Sequence, residues 1–124
     1  MNKKRPKYLA LHQIRLPLPG IVSILHRISG ILLFLALPGL LWLLQSSLYS
    51  MESYAALESL LRQPLFKLVL LGVLWAFFHH ACAGIRFLLT DIHVGSSLSA
   101  ARLGSKLVMM VSLTLTILSG VWLW

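Results

Sequence analysis

Three apolar stretches, each near or above the length that crosses a lipid bilayer, dominate this 124-residue sequence. A spanning helix needs about 20 largely apolar residues, and Ile21 to Leu48, Leu65 to Leu89 and Leu107 to Trp124 meet or approach that length. In hydrocarbon every backbone N–H and C=O must find its partner within the chain, so such runs form helices. Composition agrees: 58% of residues are hydrophobic and 11% charged, with a mean hydropathy of +0.85, whereas soluble domains carry about 25% charged residues. The expectation is an all-α integral membrane protein with three transmembrane helices, at about 21–48, 65–89 and 107–124. Residues 1–20 would form a cytoplasmic N-terminal segment and 21–124 one membrane domain.

The net charge of +8 has a placement that argues against nucleic acid. Lys3, Lys4, Arg5, Lys7 and Arg15 precede the first run and the other basic residues are scattered, with no basic face interleaved with aromatics. Basic residues flanking a span hold that end in the cytoplasm and attract anionic lipid. The first loop carries Glu52 and Glu58 against Arg62, the second Arg102 and Lys106. The N-terminus is therefore expected in the cytoplasm and the C-terminus outside, with Trp122 and Trp124 in the outer aromatic belt. The first run is too long for a signal-peptide core and lacks a small-residue cleavage site, which makes it a retained helix. "PLPG" (Pro17 to Gly20) is expected to break the chain before it, and Pro38 with Gly39 to bend it. Cys82 is the single cysteine, so no internal disulfide forms, and it reads as a small apolar filler.

"SILHRISG", Ser23 to Gly30, places a histidine and an arginine side by side at the edge of the first span. An ionisable residue within a span costs about 2.5–3.5 kcal/mol even on the mildest insertion scale, which marks it as a functional candidate. Spacings of three and four residues bring Ser23, His26 and Arg27 to one patch of helix surface. Their donors suit a polar head on an apolar tail, or a carboxylate at the membrane edge. The alternative is that His26 and Arg27 snorkel to lipid phosphates.

The second span holds "FFHHACAGIRFLLTD". His79 and His80 lie two to three turns inside it, beyond the reach of snorkelling. Ala83 and Gly84 follow His80 on its own face and would leave a flat slot, suited to a haem ligated by the imidazole. Close helix packing explains the small residues equally well. Arg86 and Asp91 end the segment, placed for propionates or for each other, although a separation of five residues makes a direct intrahelical bridge poor. At 1.5 Å per residue His26 and His80 are expected to differ in depth by ~10 Å, and His79 and His80 are adjacent, so the chain supplies one axial ligand and another polypeptide the second.

At these residues the sequence resembles the cytochrome b membrane-anchor subunit of succinate dehydrogenase, respiratory complex II. Arg5–Pro6, Ser23, His26–Arg27 and Ser29 follow the pattern "RP…SxxHRx[ST]", and His80 to Asp91 follow "HxxxGxR[HF]…D". The likeness covers the whole chain. It implies a place in a heteromeric helical bundle with a second membrane-anchor subunit, an iron–sulphur subunit and a flavoprotein subunit, in a bacterial inner membrane. It further implies that His80 is an axial ligand of haem b, whose other ligand the second anchor supplies. Ser23 and Arg27 would line the ubiquinone-reduction site, and His26, Arg27 and Arg86 would stand at the haem propionates. Succinate oxidation would occur on another subunit, and a six-coordinate haem would serve electron transfer. The chain departs from the pattern at Phe87, where many members have histidine, at Thr90 and at His93. The rival expectations are a fumarate reductase anchor and a non-redox three-helix interaction subunit, the latter separable by the absence of a haem b spectrum.

Overall fold

The computed structural model describes residues 15–124; Lys3 to Lys7, and with them the Arg5–Pro6 pair, lie outside the described residues. Four helices follow in order, α1 (Leu18–Tyr49), α2 (Met51–Leu61), α3 (Pro64–Asp91) and α4 (Leu98–Leu123). The described residues contain no strand. Helices α1, α3 and α4 are each long and apolar enough to span a membrane, and much of their apolar surface is exposed, Phe34 to 75% for example. Such a surface belongs in lipid or against other membrane helices.

"PLPG" starts the first helix rather than preceding it. Pro17 caps α1 with extended backbone, and Pro19 falls in the first turn, where a missing N–H costs nothing. α1 continues through Pro38 and Gly39 to Tyr49 as one helix.

The stretch read as the first loop contains a helix. Ser50 ends α1 and begins α2 with a reciprocal cap: its Oγ accepts the Ser53 N–H at 3.0 Å, while Ser53 Oγ accepts the Ser50 N–H at 3.0 Å. Ala, Leu and Glu then carry the helix forward, and Leu57 is its buried anchor. Pro64 opens α3 from the first turn. The α3–α4 turn places His93 at φ 63° and Gly95 at φ 72°, both left-handed. A left-handed position favours small or glycine-like residues, which gives His93 its physical setting: an exposed turn residue under mild strain.

α4 begins at Leu98, nine residues before the expected third span. Ser97 caps it, its Oγ accepting the Ala100 N–H at 3.3 Å, so Arg102 and Lys106 stand on a helix and not in a loop. The apolar window marked only the later part of a longer element.

α3 packs against both α1 and α4. Val22, Ala83 and Val108, one from each long helix, form the centre, with Cys82, Phe87 and Met109 around them. Around that centre small residues predominate: Ser105, Ser112 and Thr116 on α4 are buried, as is Ala76 on α3, beside the larger His79. Each hydroxyl is satisfied within its own helix, Ser105 by Ala101 O at 2.8 Å, Ser112 by Met109 O at 3.2 Å and Thr116 by Ser112 O at 2.8 Å. The helices therefore approach closely without needing polar partners across the gap.

Candidate functional site

The polar groups of α1 and α3 meet near the end of the bundle where α1 starts and α3 finishes. The His26 and His80 rings stack, with centroids 4.1 Å apart and planes 8° from parallel. This overturns the expected ~10 Å difference in depth. α1 starts at Leu18 and α3 runs to Asp91, so His26 lies eight residues and His80 eleven residues from the same end of the bundle. Three residues correspond to ~4.5 Å along a helix, which helix inclination and side-chain reach can absorb.

The contacts of His80 identify its protonated nitrogen. Nδ1 lies 3.1 Å from the His26 backbone oxygen, and a carbonyl oxygen only accepts. Nδ1–H therefore donates to it, and Nε2 is the nitrogen with a free lone pair. Ser29 Oγ, fully buried, donates to the same carbonyl at 2.8 Å and stands 3.3 Å from His80 Nδ1. A histidine whose second ring nitrogen is tied to a backbone carbonyl is the usual state of a metal ligand. Among the described residues no group of three or more His, Cys, Asp or Glu could enclose a bare ion. An imidazole with Nε2 unbonded beside an open hollow suits a metal held mainly by a macrocycle.

Beside the stack, His26, Arg27, Gly30, Ile31, Phe34 and His80 line an open hollow of about 430 Å³. Arg27 is exposed and Ser23, one turn earlier on α1, is half-buried. The fold thus gathers His26, Arg27 and His80, with Ser23 on the adjoining turn. It does not bring Arg86 to them. The Arg86 guanidinium turns to α4, where Nη2 donates to Ala101 O at 3.3 Å. Gly104 makes room for it, since a Cβ there would stand 3.3 Å from Arg86 Nε. The five-residue spacing of Arg86 and Asp91 disfavours a direct bridge, and none forms; the single ion pair among the described residues is Arg62 with Glu58 at 2.7 Å, exposed and far along the chain. Arg86 keeps an indirect link, its guanidinium 5.2 Å above the Phe87 ring, which meets His26 edge-on at 5.2 Å. Phe87 therefore packs on the site at the position where histidine was the pattern's common residue.

The slot expected from Ala83 and Gly84 divides between two roles. Gly84 does face the site, since a Cβ on it would lie 3.5 Å from His26 Nε2. Ala83 is wholly buried in the interhelical core, so helix packing explains it. His79 shares that buried face, with Ala76 and Ala83. It stacks on Trp75 at 5.1 Å, and neither of its ring nitrogens has a partner with hydrogen-bond geometry. The reading from sequence assigned Ser29 and Gly30 no role. Both follow His26 at the helical spacings of three and four, and that was the available signal.

Comparison with known proteins shows the family of the chain. A family model described as succinate dehydrogenase/fumarate reductase transmembrane subunit matches residues 1–119. The succinate dehydrogenase cytochrome b556 subunit of Coxiella burnetii (strain RSA 493 / Nine Mile phase I) is 39% identical over 125 residues, covering all of both chains. That of Rickettsia felis (strain ATCC VR-1525 / URRWXCal2) is 36% identical over 93% of this chain and 90% of its own. That of Paracoccus denitrificans is 31% identical over 93% of this chain and 88% of its own. With an all-helical membrane fold and a histidine-centred site between its first and second spanning helices, the chain belongs to the succinate dehydrogenase/fumarate reductase transmembrane subunit family.

Proposed function

We propose that this chain is the cytochrome b anchor of a succinate:ubiquinone oxidoreductase. It holds haem b through His80 Nε2 jointly with a histidine of a second anchor subunit, and it contributes Ser23 and Arg27 to the quinone-reduction site. The observation that carries the reading is the hydrogen bond from His80 Nδ1 to the His26 carbonyl, which leaves Nε2 as the ligating atom. His26 cannot serve as the opposite axial ligand in this arrangement. Its ring lies flat against that of His80 at 4.1 Å, which leaves no room for a group between the two imidazoles. The relatives' names, succinate dehydrogenase cytochrome b556 subunit, favour succinate oxidation over fumarate reduction.

The haem, when bound, supplies one-electron transfer. The chain's own residues do the rest. His26 and Arg27 border the hollow beside His80, and their donors suit propionate oxygens and a quinone carbonyl. Ser23 offers a hydroxyl one turn earlier on α1, toward the end where that helix starts. Electrons arrive there from an iron–sulphur subunit on the cytoplasmic side, while flavin and succinate chemistry belong to a flavoprotein subunit. Phe87 and Phe34 keep the adjoining wall apolar. Arg86 takes the part of a brace between α3 and α4, acting on the site through Phe87.

The test is spectroscopic, on the purified complex. His80→Leu abolishes or alters the low-spin bis-histidine spectrum, and His79→Leu largely preserves it. Loss of the spectrum in His79→Leu with retention in His80→Leu would reverse the assignment.

A further inference from the structure

We infer that Ser29 and Gly30 are positioning residues for the axial histidine, fixing the orientation of the His80 ring and the donor strength of its Nε2. The inference rests on the reading of His80 as the haem ligand.

Three constraints on one imidazole come from a single turn of α1. At Nδ1 two oxygens converge: the His26 carbonyl at 3.1 Å and the Ser29 hydroxyl at 3.3 Å. With Nδ1 protonated, both contacts are satisfied together. The hydroxyl gives its own proton to the His26 carbonyl at 2.8 Å and accepts a share of the Nδ1–H. Turning the ring would break both contacts. Ser29 has no exposed surface, so water is not at hand to replace either oxygen, and a lost contact there carries the full desolvation penalty.

Gly30 sets the distance. A Cβ at this position would stand 2.9 Å from His80 Cε1 and 3.3 Å from Nδ1. The obstacle is a rigid ring held by hydrogen bonds, not the end of a flexible chain, so α1 and α3 would have to separate. The edge of the imidazole thus rests on α1 backbone, and the hydrogen bond to His26 O depends on that approach. The His26 ring closes one face at 4.1 Å.

The electronic consequence follows from the acceptors. Oxygens at Nδ1–H draw the proton away from the ring and raise electron density at Nε2, which makes it a better donor to the oxidised iron. A stronger axial donor favours the ferric state and lowers the midpoint potential. Ser29 therefore tunes the haem without touching it, and Gly30 makes that tuning possible.

The experiment compares Ser29→Ala, Ser29→Thr, Gly30→Ala and His80→Leu in the purified complex, with subunit stoichiometry as the control for assembly. The readouts are haem content, the low-spin ferric EPR signal, the midpoint potential and the rate of haem transfer to an apo-globin scavenger. Ser29→Ala is expected to lose haem about tenfold faster, at the lower end of the effect of removing a ligand's hydrogen-bond partner, and to raise the potential. Ser29→Thr, which keeps the hydroxyl, restores both. Gly30→Ala loses more haem than Ser29→Ala and shifts the EPR signal; if it fails to assemble, the serine pair carries the test. Wild-type potential and transfer rate in Ser29→Ala, with haem lost in His80→Leu, would overturn the inference and leave the ligand assignment standing. Ser29→Thr behaving as Ser29→Ala would likewise remove the hydroxyl from the account. An intact bis-histidine spectrum in His80→Leu would bring down both.

Discussion

His79 and His80 are neighbours in the chain and differ in what their ring nitrogens meet. His80 is half-buried, bonded at Nδ1 and bordering an open hollow; His79 is sealed between helices beside Trp75, its nitrogens without bonds. A rotation of about 100° around one helix separates a ring that borders the hollow from one sealed in the interface. That the two rings face different ways was legible in the helical spacing, while the burial of His79 was not, because burial depends on what α1 and α4 place opposite it. At the same scale, Ser23→Ala and Arg27→Leu are expected to slow quinone reduction about tenfold or more, since a lost hydrogen bond to a charged group costs about 1.5–3 kcal/mol. Steady-state kinetics with ubiquinone, set against succinate oxidation by an artificial acceptor, measures this. Unchanged quinone kinetics in both variants would assign His26 and Arg27 to lipid phosphates instead. Arg86 shows where residue-level reading stops: its spacing from His80 was compatible with a propionate, and the close approach of Gly104 drew it to α4.

Helices α1, α3 and α4 were legible as elements because a bilayer demands long apolar helices and their residues comply. Their ends were less so. The first turns of α4 are polar, and only the cap at Ser97 and the good helix formers after it reveal the earlier start. α2 was missed because a short helix with one buried residue leaves little hydrophobic signal. Its strongest mark is Ser50-x-x-Ser53, a capping pair with serine in the place usually taken by Glu or Gln. Ser50→Ala is expected to destabilise α2 by about 1 kcal/mol, read as faster amide hydrogen exchange over residues 51–57 with α3 unchanged. Protection equal to that of the wild type would mean that packing by Leu57, not the cap, holds the element.

The basic residues ahead of α1 and the acidic residues between α1 and α3 favour a cytoplasmic N-terminus, so reporter fusions at Trp124 are expected to be active only outside the cytoplasm. Activity confined to the cytoplasm would invert the topology. Expressed without a second anchor, the chain is expected to show no bis-histidine haem spectrum, because the stacked His26 cannot oppose His80. A normal spectrum from the isolated chain would overturn the shared haem. Sequence alone determined the number of spanning helices, their helical form, the family and the residues worth watching. Those follow from local rules: a fixed rise per residue, the backbone's need for hydrogen bonds in lipid, and side-chain types at set spacings. The tertiary structure alone decided that His26 lies on His80, that Arg86 braces α4 and that His79 is buried. Relative depth and facing between helices come from the sum of many weak contacts among small residues such as Gly30, Ala83, Gly104 and Ser105, and no periodicity within one helix encodes where its neighbour will stop.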